Sequence, residues 1–188
     1  MAQRDDFVRN ALPPRSQWPD LIFTLPGLDY PARLNATAAL LDPWAVGPRA
    51  DAPCLIGAAT TWTYAETAAC VNRIANVLVH RLGVVPGQAV LLRAANSPMM
   101  AACILAVIKA GAVAVPTMPM LRAREIAYPL TKARVRVALC DAGLAGELEA
   151  ARSLAPGLET IVRFHAEGPD SLEAMMAGES AAFRSEER

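Results

Sequence analysis

The stretch IKAGAVAVPTMPMLRAREI (108–126) decides how this chain is read. An apolar run reaches Lys109-Ala110-Gly111, resumes as alternating Ala and Val, breaks at Pro116 and Pro119, and turns basic at Arg122 and Arg124. Lys-Ala-Gly reads as a helix stop: a cation in the last turn favours the terminal carbonyls, and glycine supplies the left-handed exit. AVAVP then reads as a central buried strand and the basic segment as the start of another helix, roughly Arg122 to Lys132, which Pro129 must kink or shorten. A buried helix, a buried strand and a cationic loop in succession are the marks of a parallel α/β sheet.

The same order repeats on either side. CLIG and TTWTY, around Gly57-Ala58-Ala59, predict a hairpin. Thr63 with Glu66 three residues later forms a capping box, and Val71, Ile74, Ala75, Leu78 and Leu82 give its helix one apolar stripe. Gly83 ends that helix, Pro86-Gly87 makes a turn, and AVLLRA is a buried strand. Asn96-Ser97 caps SPMMAACILAVIKAG, a helix apolar on nearly every side, with Ile104 expected in the core. VRVALCD, GLAGELEAARSLA, LETIVRF and SLEAMMAG continue as strand, helix, strand and short helix. The fold class is α/β: a mostly parallel sheet with helices on both faces.

Residues 1–53 differ. They hold eight of the fifteen prolines, and a chain so interrupted cannot be a series of regular elements. They read as an extended arm pinned by Phe7, Trp18, Phe23 and Trp44, with one short helix from about Asn35 to Leu41. The α/β unit follows over 54–177, and GESAAFRSEER makes a polar tail over 178–188.

Composition narrows the function classes. The chain has 188 residues, 54% of them hydrophobic, enough for one domain that buries roughly 70% of its unfolded surface. Eighteen basic and eighteen acidic side chains balance, which argues against nucleic acid as a partner. MAQRDDF lacks the basic lead and apolar run of a secretory signal, so the expected compartment is the cytoplasm. Asn35-Ala36-Thr37 then reads as a helix start rather than a glycosylation acceptor. Met99 to Val115 falls short of the about 20 apolar residues a membrane span needs. Cys54, Cys70, Cys103 and Cys140 lie among aliphatic residues at spacings unlike a metal motif, and His80 and His165 each stand alone.

Chemistry is harder to find. The strand-to-helix junctions RAANSPM, VPTMPMLRARE and CDAGLAG lack the glycines of a dinucleotide grip, and no Walker-type loop occurs. Asp141 stands alone and reads as a helix cap. No paired carboxylates, Ser-His-Asp set or metal ligands can be assembled, so the residues alone give no catalytic site.

Several motifs, taken together, do resemble a family, the adenylate-forming acyl- and aryl-CoA ligases. WTYAETAACVNRIANVL (62–78) resembles its W/L-T-Y-x-E-L and N-R-x-A-N-x-L segment. LGVVPGQAVLL (82–92) resembles L-G-V-x-P-G-D-x-V-L-L, with Gln88 for the usual acid. NSPMMAACILAVIKAGAVAVP (96–116) is similar to its N-S-P helix and K-A-G-A-x-x-V-P strand entry. FVRNALPPRSQWPDLIFTLPGLDYPARLNATAALLD (7–42) and TMPMLRAREIAYPLTKARVRVALCD (117–141) resemble the benzoate- and 2-aminobenzoate-CoA ligase branch.

This resemblance implies an enzyme that uses ATP, Mg2+ and CoA to convert an aryl carboxylate into its CoA thioester through an acyl-adenylate. It also implies that these residues are the first subdomain, leading up to a phosphate loop of the form T-S-G-T-T-G-x-P-K that they do not contain. The 188 residues alone are then expected to be inactive, with no catalytic or ATP-binding residue of their own, and to pair with the rest of a ligase or self-associate through exposed apolar surface. The alternative is a non-catalytic binding or assembly module derived from such a ligase. In relatives the loop after the V-P strand lies near the CoA entrance. The resemblance thereby points to Arg122 and Arg124 as contacts for CoA phosphates, since Met120 stands where some relatives carry a base. The competing reading is that two arginines in the first turn of an exposed helix are simply solvated.

Overall fold

The computed structural model describes residues 3–185. Its first element, helix α1 (Phe7–Asn10), is a single turn, and α2 (Ala36–Leu41) is the helix foreseen within the arm. Asn35 serves two helices at once. Its Oδ1 accepts the Ala38 N–H at 3.1 Å, while its Nδ2 donates to the carbonyls of Ile108 and Lys109. Thr37 is fully buried, with its hydroxyl on the Leu105 carbonyl at 2.8 Å.

Strands β1 (Pro53–Ile56) and β2 (Thr61–Thr63) form the antiparallel hairpin. Helix α3 (Tyr64–Asn76) starts on the complete Thr63–Glu66 capping box and runs into a wider five-residue turn, Val77–Arg81. Then follow β3 (Ala89–Arg93), α4 (Pro98–Lys109), β4 (Val113–Thr117), α5 (Ala123–Lys132), β5 (Val137–Asp141), α6 (Ala145–Leu154), β6 (Thr160–Phe164) and α7 (Leu172–Ala177). The four later strands make one parallel sheet in the order β4-β3-β5-β6.

The period of two along each strand sorts the core into two layers. Val90, Leu92, Val137 and Leu139 face α3, α4 and α7. Ala89, Leu91, Ala138 and Cys140 face the layer that holds Ile126 and Leu130 of α5 and Leu148 and Ala151 of α6. The sheet is therefore covered on both sides, as the alternation of elements requires.

Several expectations need correction. β4 is an edge strand among the described residues, not a central one, and the edge is where Pro116, which has no N–H to donate, is tolerated. Lys109 does not serve the last carbonyls of α4. It is buried and pairs with the Asp42 carboxylate, leaving those carbonyls to Asn35. Ile104 is half-buried rather than core, on a stripe with Ala101, Leu105 and Ile108. Helix α5 starts one residue after Arg122 and continues past Pro129 to Lys132.

The arm is anchored at fewer points than its aromatics suggested. Trp18 and Phe23 are exposed and make local contacts, with the Pro13 carbonyl and the Tyr30 ring respectively. Phe7 does dock, under the Arg134 guanidinium at 3.9 Å, and Trp44, itself exposed, lies 6.4 Å from Tyr64. Beside Phe7 the Asp5 N–H donates to the Pro86 carbonyl, and Gly87 has φ +86°. A Cβ on Gly87 would lie 1.9 Å from the Asp5 carbonyl oxygen, so only glycine allows this close approach. At the other end Asn72 and Asn76 donate to carbonyls of Ser180, Ala181 and Ala182, laying the tail along α3.

Candidate functional site

In an open parallel sheet the loops beyond the carboxyl ends of the strands are where ligands are received. Here that end carries Arg93 (β3), the segment 118–122 (after β4), Asp141 (β5) and His165 (just after β6).

Arg93 is 1% exposed. Its guanidinium donates to four main-chain carbonyls: Leu144 at 3.2 Å, and Met118, Pro119 and Leu121 each at 2.9 Å. Among the described residues no carboxylate pairs with it. A buried charge without such bonds would be too costly to keep, so these carbonyls are what hold it. Sequence reading missed this residue, although a lone charge ending an otherwise apolar strand is a signal that partners must be found.

Arg122 and Arg124 lie immediately beyond this loop. The Arg122 side chain is 77% exposed, and its Nη1 meets Glu147 Oε1 at 2.9 Å. Its backbone N–H donates to Glu125 Oε2, which closes the start of α5. Arg124 is exposed and has no ionic partner among the described residues. The two arginines thus share one exposed turn, one tethered and one loose. This geometry is compatible both with a phosphate contact and with plain solvation.

Glu147 is the second grip on the loop. Its Oε2 accepts the Ala123 N–H at 2.9 Å while Oε1 holds Arg122. That backbone N–H first, and the Arg122 guanidinium second, keep its carboxyl below the ordinary value of 4.5. A carboxylate with a depressed pKa stabilises the fold above its ordinary pKa and loses that contribution as pH falls through the depressed value. The Ala123 amide resonance is therefore expected to shift as pH drops below 4.5. Glu147→Gln should abolish that step, and an unchanged titration in the variant would show that another group causes it.

Asp141 and His165 were each expected to stand alone, and the structure pairs them. Asp141 Oδ1 accepts the Gly143 N–H as the predicted cap, and Oδ2 meets His165 Nδ1 at 2.8 Å. The His165 N–H donates to Glu173 Oε1, and its backbone is left-handed at φ 51°. These bonds fix the turn between β6 and α7. The neighbouring Cys140 is fully buried, which pushes its thiol up to about 12. Burial likewise raises Cys70 to about 11 and Cys103 well above the usual thiol value. His80 lies 3.8 Å from Glu179, which is held more closely by Arg81.

Among the described residues no group of three or more His, Cys, Asp or Glu side chains is placed to hold a metal ion. A pocket of about 480 Å³, lined in part by Gln3, His80, Pro86 and Phe183, opens by the segment leading into β3, away from Arg93 and the basic loop. Among the described residues no helix is long and apolar enough to cross a membrane.

Residues 42–186 match the family described as AMP-binding enzyme. The chain is 34% identical over 131 residues to the 3-hydroxybenzoate–CoA ligase of Aromatoleum sp. (strain CIB), covering 69% of this chain and 25% of that protein. It is 30% identical over 160 residues to the benzoate–CoA ligase of Thauera aromatica, covering 85% of this chain and 30% of that one. Among solved structures it superposes on the anthranilate CoA ligase AuaEII in complex with anthranoyl-AMP, with a TM-score of 0.77 at 24% identity. That match covers 85% of this chain and 30% of the other, and at this identity it establishes the fold alone. The chain thus spans between a quarter and a third of the length of these relatives.

Proposed function

The chain belongs to the AMP-binding enzyme family, and from that premise we propose that it forms the first α/β unit of an ATP-dependent aryl-CoA ligase. The observation that carries this reading is the 30% identity with a benzoate–CoA ligase across 85% of the chain. In the proposed reaction a carboxylate oxygen of the aryl acid attacks the α-phosphorus of ATP and pyrophosphate leaves. The sulfur of CoA then attacks the acyl carbonyl, AMP leaves, and the thiol proton passes to solvent. The setting proposed for it is aromatic-acid degradation in the cytoplasm.

Within that scheme this unit supplies scaffold and a phosphate contact rather than the reacting groups. Stabilising the triphosphate charge is the main work of such a reaction, and no Gly-rich phosphate loop occurs in the 188 residues. Among the described residues no group of three or more His, Cys, Asp or Glu side chains is placed to hold a metal, and no step of the proposal is routed through one. The 188 residues on their own are accordingly proposed to be inactive. Their partner is the remainder of a ligase or a second copy, met through apolar side chains left exposed, such as Leu21, Ile22, Phe23, Leu25, Met118 and Met120. Those same side chains are what favour the second reading, a non-catalytic assembly module. Sedimentation tests the module, since a monomer with no affinity for ligase chains counts against it.

Arg122 and Arg124 are proposed to meet the nucleotide phosphates of CoA. Titrating the chain with CoA, Arg122→Ala and Arg124→Ala should each weaken binding by about fivefold, roughly 1 kcal/mol for an exposed charge-assisted contact. Equal affinity for wild type and the double variant would leave the arginines as solvated surface.

A further inference from the structure

The carbonyls that Arg93 takes belong to two segments that β3 does not itself continue into: the run after β4 and the run after β5. Between Thr117 and Arg122 the loop has little else to hold it. Its methionines, Met118 and Met120, point outward at 63% and 80% exposure, and its internal backbone bond is Leu121 N–H to the Met118 carbonyl at 3.2 Å. An unanchored loop of this kind would sample many shapes, and the arginines at its end would move with it.

We infer that Arg93 is a positioning residue: its buried guanidinium sets the path of the 118–121 loop and so fixes where Arg122 and Arg124 are presented. The inference deepens the phosphate-contact reading above and rests on it for the presenting role. A guanidinium suits this work because its planar fork of donors can reach Met118 from one nitrogen while another serves both Pro119 and Leu121. An ammonium at the same place is a point charge that cannot span the three. Glu147 takes the other end of the segment through Ala123 and Arg122, so the loop is gripped by a cation at its carbonyls and an anion at its first helical N–H.

The test uses the whole chain as wild type, Arg93→Lys and Arg93→Met, with two readouts. Amide hydrogen exchange at Leu121 should rise about tenfold in Arg93→Lys while Ile74, deep in α3, stays within about twofold. Affinity for adenosine 3′,5′-bisphosphate, the phosphate-bearing end of CoA, should fall about fivefold in Arg93→Lys. In the Arg122→Ala/Arg124→Ala background the same change should cost nothing further, the non-additivity of residues acting through one another. Arg93→Met should exceed Arg93→Lys in both readouts. Unchanged exchange at Leu121 in both variants, or an equal rise at Leu121 and Ile74, overturns the inference, because Arg93 would then hold nothing or merely support the fold at large. A wild-type chain that ignores the probe overturns the phosphate reading and with it the presenting role, and the exchange ratio then decides the brace by itself.

Discussion

Asp42→Ala is expected to destabilise the chain by about 3 kcal/mol, the low end of what breaking a buried ion pair costs. Lys109 is 2% exposed, and its Nζ lies 2.5 Å from Asp42 Oδ1. Removing the carboxylate leaves an ammonium in the core with no other carboxylate partner among the described residues. The low end applies because the Asp42 side chain is 43% exposed and water already reaches its far side. The double variant Asp42→Ala/Lys109→Met should recover most of the loss, since it removes the stranded charge as well as its partner. The urea midpoints of the three chains at neutral pH check this. A loss under about 0.5 kcal/mol for Asp42→Ala, the size of a surface change, would show that the pair does not tie α2 to α4.

Leu139→Ala should cost about 2–5 kcal/mol. Leu139 is fully buried on β5, the strand bonded on both sides by β3 and β6, and it faces the α3–α4–α7 layer. Ile104→Ala is the internal control. Ile104 packs against the same core but remains partly exposed, so it should cost roughly 1 kcal/mol, most of it transfer rather than cavity. Equal losses at the two sites would mean that the half-exposed face of α4 is covered in solution, and by something other than the described residues.

Local devices are legible in a sequence, whereas partners far apart in the chain are not. The Thr63–Glu66 box, the Ser97 cap, and Gly83, Gly87 and Gly111 at positive φ are local devices, and each marked its boundary. Strand position is not local. AVAVP is as apolar as a central strand, and only the pairing of β3 with both β4 and β5 puts it at the edge. Lys109 was legible as a cation at a helix end, but its partner lies 67 residues away in the arm. At the candidate site Arg122 and Arg124 were visible because charge after an apolar run stands out. Arg93's partners were not, because main-chain carbonyls have no letter in the sequence. Asp141 and His165 were read singly for a similar reason: 24 residues and a helix separate two strand ends that the sheet sets side by side.

As the proposed first α/β unit of an aryl-CoA ligase, these residues need the rest of such an enzyme to act. ATP–pyrophosphate exchange with benzoate or 2-aminobenzoate tests this most directly. It would be measured on the 188-residue chain alone and on the same residues grafted in place of the matching 30% of the Thauera aromatica benzoate–CoA ligase. The chain alone should give no aryl-acid-dependent exchange, and the graft should give clear exchange. Exchange by the isolated chain, or a folded graft with none, would contradict this assignment.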